Sequence, residues 1–330
     1  MSGVQRCAVL KRRNYKLKRC KYQQGKGTRV YAIDKKSYEE NATPKYDYEE
    51  ITASGKRAYA VCPYCDNPIV LYGIVSELAD RNPYGAHIRK NVKKFSYNER
   101  TFSYCPAYTG RQTPRKADRY ERMQPINREI YNSLQENLSS AVYILSQDLG
   151  LLLPEKEVES MLRGYLASEA YMYCGATLYN IPWMLLYFSG EYIPLWHARV
   201  RKGSWLHEFL RERKDLSLSP VVSSKGEETP YLCVEKTGKW LDLRLDFVEH
   251  EQKYSSKEDS VKETIAVRLS TRDRNDRQVG PNGKVFQKDK TKIIKRLDIN
   301  EYRYPNLTAS ENNVVRTKLQ ELAYQLMPEI

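Results

Sequence analysis

A pair of cysteines separated by two residues constrains this chain more than any other feature of its sequence. The pair is Cys62 and Cys65, with Pro and Tyr between them. Two intervening residues let both thiolates reach one metal ion, at about 2.3 Å from each sulfur, while the backbone turns. Apolar residues flank the pair, at positions 59–61 before it and 69–72 after it. The pattern predicts two short strands joined by a turn that carries the cysteines.

Two further ligands would complete a tetrahedral site around this pair. His87 and Cys105 both lie in polar, turn-rich segments downstream of it. The resulting set of three cysteines and one histidine leaves no coordination position for water. A closed set of this kind predicts a structural zinc ion rather than a catalytic one. Cys7 and Cys20 remain alternatives for the last two positions.

The remaining composition indicates a cytoplasmic protein. Residues 1–28 contain no apolar stretch that resembles a signal peptide. The longest apolar run, Ile181–Phe188, has eight residues, far fewer than the roughly 20 that span a bilayer. Disulfides are rare in a reducing compartment, so a closely spaced cysteine pair there points to metal binding.

The positive charge of the chain is confined to its first part. Residues 1–125 contain 26 Lys and Arg against 12 Asp and Glu, whereas the remaining residues contain 29 of each. The whole net charge of +14 therefore lies before residue 126, together with 14 of the 27 tyrosines. Cations neutralise phosphates and tyrosine rings stack on unpaired bases, so this mixture indicates a nucleic-acid partner. A solvated cationic surface without a partner is the alternative.

The densest basic segment, residues 5–29, lacks a long apolar period and is predicted to be an arm or an edge strand. Six of its basic residues cluster within nine positions and are the candidate phosphate contacts: Lys11, Arg12, Arg13, Lys16, Lys18 and Arg19. The sequence leaves open whether the partner is DNA or RNA.

Changes in hydrophobic period predict an α+β fold in three domains. Residues 1–125 are predicted to form a basic, zinc-ribbon-like β module. Residues 126–215 are predicted to be helical, because apolar residues recur every three or four positions. Residues 216–330 alternate between apolar and polar and predict an antiparallel sheet, closed by a helix that starts at Ser310.

The helical block contains recognisable starts and stops. An apolar stripe from residue 126 to residue 149 predicts a helix that ends at Gly150. Further helices are predicted to start near Pro154, at Pro182 and after Ser204, which is a favourable capping residue.

The segment around the cysteine pair also carries a resemblance to a known family. The run from Tyr59 to Cys65, followed by an apolar strand and then by Ala-His-Ile at 86–88, resembles the N-terminal zinc-ribbon segment of competence protein CoiA-like proteins. The resemblance covers residues 58–90. It implies a zinc ribbon that precedes a nuclease-like domain with a role in DNA processing.

A metal-dependent nuclease of the PD-(D/E)xK type needs an aspartate on one strand and Glu-x-Lys on the next. Asp242 and Asp246 lie on a predicted strand and Glu263 precedes the next one. The lysine is missing, because Thr264 and Ile265 follow that glutamate. The sequence therefore assigns no catalytic residue and favours a binding protein over an enzyme.

Three functions are compatible with these patterns. The favoured one is a zinc-containing protein that binds nucleic acid through its basic, tyrosine-rich N-terminal region. The alternatives are a metal-dependent nuclease of the CoiA-like type and a scaffold that binds another protein. The sequence gives no role to His197, His207 or His250.

Overall fold

The computed structural model describes most of the chain, which forms two compact units. The smaller unit comprises Met1–Arg115, Gln124–Ile126 and Lys253–Val261, and the larger comprises Lys116–Met123, Asn127–Gln252 and Lys262–Ile330. The predicted division into three domains stays a prediction. The described residues are 16–25, 29–75, 82–108, 110–190, 192–237, 241–255, 260–273, 277–279, 285–287, 290–299 and 317–330.

The predicted α+β class is confirmed, because the described chain contains both helices and antiparallel sheets. No helix in the described part of the chain is long and apolar enough to cross a membrane. The helices are α1 (Lys35–Asn41), α2 (Glu99–Ser103), α3 (Pro125–Glu136), α4 (Leu138–Leu149), α5 (Glu155–Ala167), α6 (Ile181–Tyr187), α7 (Trp205–Arg211) and α8 (Thr317–Leu326).

The strands range from two-residue pairings to a hairpin of long strands. They are β1 (Arg19–Cys20), β2 (Tyr31–Ala32), β3 (Glu49–Thr52), β4 (Gly55–Val61), β5 (Pro68–Tyr72), β6 (Tyr84–His87), β7 (Leu151–Leu152), β8 (Ile193–Pro194), β9 (Arg199–Arg201), β10 (Leu216–Val222), β11 (Glu228–Lys236), β12 (Leu241–Ser255), β13 (Ser260–Asp273), β14 (Arg277–Val279), β15 (Val285–Gln287) and β16 (Lys290–Ile299).

The smaller unit contains an antiparallel sheet in the order β3-β4-β5-β6. Strands β4 and β5 form the hairpin that the sequence predicted around the cysteine pair, and Val61 opposite Pro68 is its last pair before the turn. The side chains of residues 58–61 and 68–71 are buried. Burial of apolar side chains on this hairpin gives the unit its core and fixes the position of the turn.

Residues 31–59 contain a short helix within the β module that the sequence predicts for residues 1–125. The short helix α1 lies within this segment, and Asp34 starts it by accepting a hydrogen bond from the Ser37 backbone N–H at 2.7 Å. A helix of seven residues shows less than two hydrophobic repeats, so its apolar period is too short to detect in the sequence.

The first predicted helix of the larger unit is divided in two. Helix α3 ends at Glu136 and α4 begins at Leu138, because Asn137 leaves the helical region with φ −128°. Gly150 ends α4 as predicted, in the left-handed conformation with φ 67°. Ser204 starts α7 as predicted, since its side chain accepts a hydrogen bond from the His207 backbone N–H.

Three short strands lie within the predicted helical block. Strands β7 and β9 join a sheet in the order β10-β11-β9-β7, and β8 joins a second sheet in the order β16-β13-β12-β8. Strands of two or three residues show no hydrophobic period, so only pairing with a distant strand defines them.

Two predicted features of the C-terminal region fall outside the described residues. They are the Pro-Asn-Gly turn at 281–283 and the helix start at Ser310. The strands β14 and β15, on either side of that turn, pair with each other antiparallel, and the closing helix is described from Thr317.

Helix α5 approaches the end of α6 closely at Gly164. A β-carbon at this position would lie 1.8 Å from the carbonyl oxygen of Ser189. Gly164→Ala is therefore expected to destabilise the protein by about 1–3 kcal/mol through overpacking, although alanine is otherwise the better helix former. Denaturant unfolding measures the change. Lys156→Ala at an exposed position of the same helix is the control, and equal stability of the two variants would contradict the close approach.

Candidate metal centre

The four residues predicted to bind a metal ion come together in the smaller unit. Cys62, Cys65, His87 and Cys105 are all buried, and one ligand atom from each lies within 4.8 Å of every other. They are the only group of three or more His, Cys, Asp or Glu with this geometry among the described residues. The cluster is close enough to hold a metal ion.

Three of the distances between ligand atoms are close to those of a tetrahedral zinc site. The Sγ atoms of Cys62 and Cys105 are 3.8 Å apart. His87 Nε2 lies 3.4 Å from Cys65 Sγ and 3.6 Å from Cys105 Sγ. A tetrahedral zinc ion with its usual bond lengths requires about 3.8 Å between two sulfurs and about 3.6 Å between sulfur and nitrogen. The ligands therefore need little movement to enclose such an ion.

The turn between β4 and β5 sets the direction of the first two cysteines. The Asp66 N–H donates to the Cys62 carbonyl at 3.0 Å, and the Cys62 N–H donates to the Asn67 carbonyl at 2.8 Å. Asp66 adopts φ 59°, a left-handed conformation that aspartate tolerates better than most residues. These hydrogen bonds close the turn, so that the side chains of Cys62 and Cys65 lie on the same side of it.

The other two ligands come from separate elements. His87 is the last residue of β6 and lies opposite Ile69 in the ladder with β5. Cys105 follows α2, where its N–H donates to the Phe102 carbonyl at 3.0 Å. The ring of Phe102 packs edge-on against the His87 imidazole at 5.2 Å between centroids and so restricts the orientation of that ring.

Asn67 joins the cysteine turn to the segment that carries Cys105, a role that the sequence did not predict. Its side-chain amide donates to the Cys65 carbonyl at 3.1 Å and to the Thr101 hydroxyl at 2.7 Å, and its side-chain oxygen accepts from the Asn98 N–H at 2.7 Å. Asn67 is fully buried. Its position two residues after Cys65 is the only signal in the sequence, and it does not reveal the distant partners.

The three thiols differ in proton affinity. Burial raises the pKa of Cys65 above its ordinary value. Burial also raises the pKa of Cys105, and its contacts with the other two thiols raise it further. Burial opposes ionisation of Cys62 too, but hydrogen bonds from the two thiols and the backbone outweigh it and hold the Cys62 pKa well below its usual range. One thiolate thus forms readily, and a cation would favour the other two.

Of the two competing cysteines, only Cys20 lies among the described residues, and it does not join the cluster. Cys20 is fully buried in β1, where burial raises the pKa of its thiol to about 12, and it is not among the clustered ligands. Cys7 lies outside the described residues.

The basic residues predicted to contact phosphates are only partly described. Residues 11–13 lie outside the described part of the chain. Lys16 and Lys18 are exposed, whereas Arg19 is half-buried in β1. The following basic residue, Lys21, is 1% exposed and belongs to the core.

Lys21 forms a buried ion pair with Asp66 of the cysteine turn. Its Nζ lies 3.0 Å from Asp66 Oδ1, and the Gly25 N–H donates to the other carboxylate oxygen at 2.7 Å. Burial raises the pKa of Asp66, and the lysine opposes this shift. Because loss of one partner would leave a buried unpaired charge, this pair ties residues 21–25 firmly to the turn.

The acidic residues considered for a nuclease centre are each paired with a different group. Asp242 contacts Arg244 Nε at 2.9 Å, and Asp246 is held by Arg268. Glu263 is buried and accepts hydrogen bonds from side-chain amides, one of them 2.7 Å away, while His250 contacts the same oxygen. Among the described residues these three carboxylates do not form a metal-binding group.

Loss of one ligand should release the metal. We expect the purified chain to hold about one zinc ion, and Cys62→Ser to lose it and unfold the surrounding turn, because binding and folding are coupled. Elemental analysis and thermal unfolding with chelator measure both effects. Cys233→Ser, a half-buried position in β11, should retain the ion. A wild-type chain that lacks metal and is indifferent to chelator would contradict the prediction.

Loss of the Asn67 side chain should weaken the site without removing a ligand. Asn67→Ala is expected to lower zinc affinity by roughly 10- to 100-fold, as is usual when a residue that orients ligands is lost. Competition with a chromophoric chelator measures the affinity. The control is Asn41→Ala, since among the described residues the Asn41 amide bonds within α1, to the Ser37 carbonyl. An unchanged zinc affinity in Asn67→Ala would show that the Asn67 side chain is not needed to orient the ligands.

Comparison with known proteins identifies no relative of this chain. No family model, curated protein or solved structure matches it. The resemblance of residues 58–90 to CoiA-like zinc ribbons therefore stays a prediction, and the metal centre is defined by its own geometry.

Proposed function

We propose that the smaller unit is a zinc-stabilised module that binds nucleic acid. A set of three thiolates and one imidazole suits zinc, and the closed arrangement suits a structural ion. A reducing compartment such as the cytoplasm would keep these thiols available for the metal. The observation that carries the nucleic-acid part of the proposal is a pair of stacked tyrosines beside a lysine.

The tyrosine pair offers a surface on which a base can stack. The rings of Tyr72 and Tyr84 are 4.9 Å apart between centroids, with 20° between their planes. Tyr72 is 46% exposed, which is unusual for an aromatic residue that contributes to a core. Stacking of a base on an aromatic side chain contributes about 1–3 kcal/mol and tolerates any base.

The metal centre and the tyrosine pair occupy opposite ends of the same two strands. His87 lies opposite Ile69, and Tyr84 lies opposite Tyr72, in the ladder of β5 and β6. The two ends are three residue steps apart along the strand, or about 10 Å. A metal ion that fixes His87 to the cysteine turn would also fix the register that stacks the tyrosines.

Basic residues of the first segment lie next to this pair. Leu17 bridges Gly85 of β6 through backbone hydrogen bonds of 2.9 and 2.8 Å, which aligns its neighbours with the strand. Lys16 Nζ lies 4.8 Å from the centre of the Tyr84 ring, and Lys18 is exposed. A strand could thus place its phosphates on the lysines while a base stacks on the rings.

Removal of the basic residues should weaken binding in a salt-dependent way. In the full chain, replacement of Lys16, Lys18 and Arg19 by Gln should reduce affinity for single-stranded oligonucleotides of any sequence. The slope of log affinity against log salt should fall by about two units, since each phosphate contact contributes about 0.7. Fluorescence anisotropy at several salt concentrations measures the slope.

The control removes the same number of positive charges elsewhere. Lys214, Lys225 and Lys318 are exposed residues of the larger unit, and their replacement by Gln should leave the slope unchanged. Equal losses in both triple variants would show that net charge alone attracts the oligonucleotide, which would contradict the proposed surface.

Removal of the rings should weaken binding without changing the salt slope. Replacing Tyr72 and Tyr84 by Leu retains an apolar side chain but removes the stacking surface, and should cost about 1–3 kcal/mol in binding. Tyr46→Leu, at another exposed tyrosine of the same unit, is the control. If the double variant binds the oligonucleotide as tightly as the wild type does, bases do not stack on these two rings and the proposal is contradicted.

A further inference from the structure

The larger unit contains a small pocket that neither the metal centre nor the proposed nucleic-acid surface uses. Its volume is about 190 Å³, and its polar lining includes Lys116, Ser189, Tyr192, Asp246 and Arg268. Pockets for drug-sized molecules usually measure about 300–1,000 Å³, so this one suits a small ion or a single chemical group.

Lys116 is an exposed residue that lines this pocket and forms no ion pair with a carboxylate of the described residues. Its ammonium lies over the Tyr187 ring, 4.3 Å from the centroid, and 5.4 Å from that of Phe188. No carboxylate of the described residues lies within 4.0 Å of it. Burial lowers the pKa of Lys116; Asp246 opposes this shift, and the positive charges of Arg119 and Arg268 add to it. An anion in the pocket would offset this burial and repulsion.

Asp246, the one carboxylate among the described lining residues, is already paired with an arginine. Arg268 Nε lies 3.0 Å from both oxygens of Asp246, and Arg268 Nη2 contacts the second oxygen as well. The Nη1 group of Arg268 makes no hydrogen bond with any described residue, so the guanidinium keeps donors for a further acceptor.

The described residues that line the pocket are positive on balance. Arg119 lies beside it, stacked over the Phe188 ring at 4.6 Å, and donates hydrogen bonds to backbone carbonyls rather than to a carboxylate. In the described lining, Lys116 and Arg268 carry two positive charges against the one negative charge of Asp246. Glu249 also acts on Arg268, and Asp118 and Glu169 act on Arg119. The remaining positive charge of the described lining attracts a small anion.

We propose that this pocket binds a tetrahedral oxyanion of the phosphate class, held by the Lys116 ammonium and the Arg268 guanidinium. Arginine donates to phosphate through its planar fork, and lysine acts as a point charge. Tyr192 lies at the rim, 39% exposed, and leaves an opening through which an ester group can extend. The anion is free phosphate or the phosphate of a monoester such as a nucleotide.

Titration of the full chain with inorganic phosphate tests the site. Isothermal calorimetry should show saturable binding at one site, and Lys116→Gln should weaken it at least about tenfold, since a hydrogen bond to a charged group is lost. Lys225→Gln removes the same charge from an exposed turn of the same unit and should bind as the wild type does. Absence of phosphate binding, or equal weakening in both variants, would overturn the proposal.

Adenosine 5′-monophosphate distinguishes the two sources of the anion. A nucleotide that binds more tightly than inorganic phosphate, and loses affinity in Lys116→Gln, identifies a monoester ligand. Equal affinities identify the phosphate group alone as the ligand. The site would be excluded if inorganic phosphate does not bind and if the nucleotide binds equally well to the wild type and to Lys116→Gln.

A second pair of variants keeps the test valid if Lys116→Gln does not fold. Tyr192→Glu places a negative charge at the rim and should weaken phosphate binding, whereas Tyr192→Gln should not. Circular dichroism confirms that both variants are folded. Equal phosphate affinity in the Glu and Gln variants would also overturn the proposal, because a charge at the rim must act on an anion inside.

Discussion

The smaller unit depends on the meeting of four ligand atoms from three distant segments of the chain. The Cys62 and Cys105 sulfurs meet although 43 positions separate them, and His87 joins them from β6. The strands that carry these residues are short, and a unit of this size buries limited apolar surface. A metal bond that crosslinks the three segments would therefore supply much of the folding free energy. Asn67 reinforces the same link by hydrogen bonds between the cysteine turn and α2.

Burial separates the basic residues of the first segment into two kinds. Lys21 is enclosed with Asp66 and holds the segment to the cysteine turn, whereas Lys16 and Lys18 are exposed next to β6. A charge count includes all of them equally. Desolvation explains the difference, since a buried ammonium is tolerated only with a paired anion, while an exposed one stays hydrated and can contact a phosphate. The proposed binding surface therefore depends on the buried pair for its position.

The larger unit combines helices and sheets around polar groups that are far apart in sequence. Glu263 of β13 accepts a hydrogen bond from Asn180 at the start of α6 and contacts His250 of β12. Such buried polar groups are costly unless every one is paired, so they define how helix and strands meet. The pocket that we propose for phosphate lies in the same unit, where Arg268 pairs with Asp246 and Lys116 forms no ion pair with a carboxylate of the described residues.

The sequence by itself determined the features that depend on near neighbours. Spacing identified the Cys62–Cys65 turn with its hairpin and the caps at Gly150 and Ser204. It offered His87 and Cys105 as the other two ligands but left Cys7 and Cys20 open, and the folded chain decided between them for Cys20. Only the tertiary structure decided the features that depend on distant partners. These include the strands β7–β9, the burial of Lys21, the link through Asn67 and the pairing of Asp246 with Arg268. The physical reason is that helix caps, turns and hydrophobic periods depend on a few adjacent residues. Strand pairing and the burial of charges depend instead on residues that are distant in sequence and become neighbours only in the folded chain.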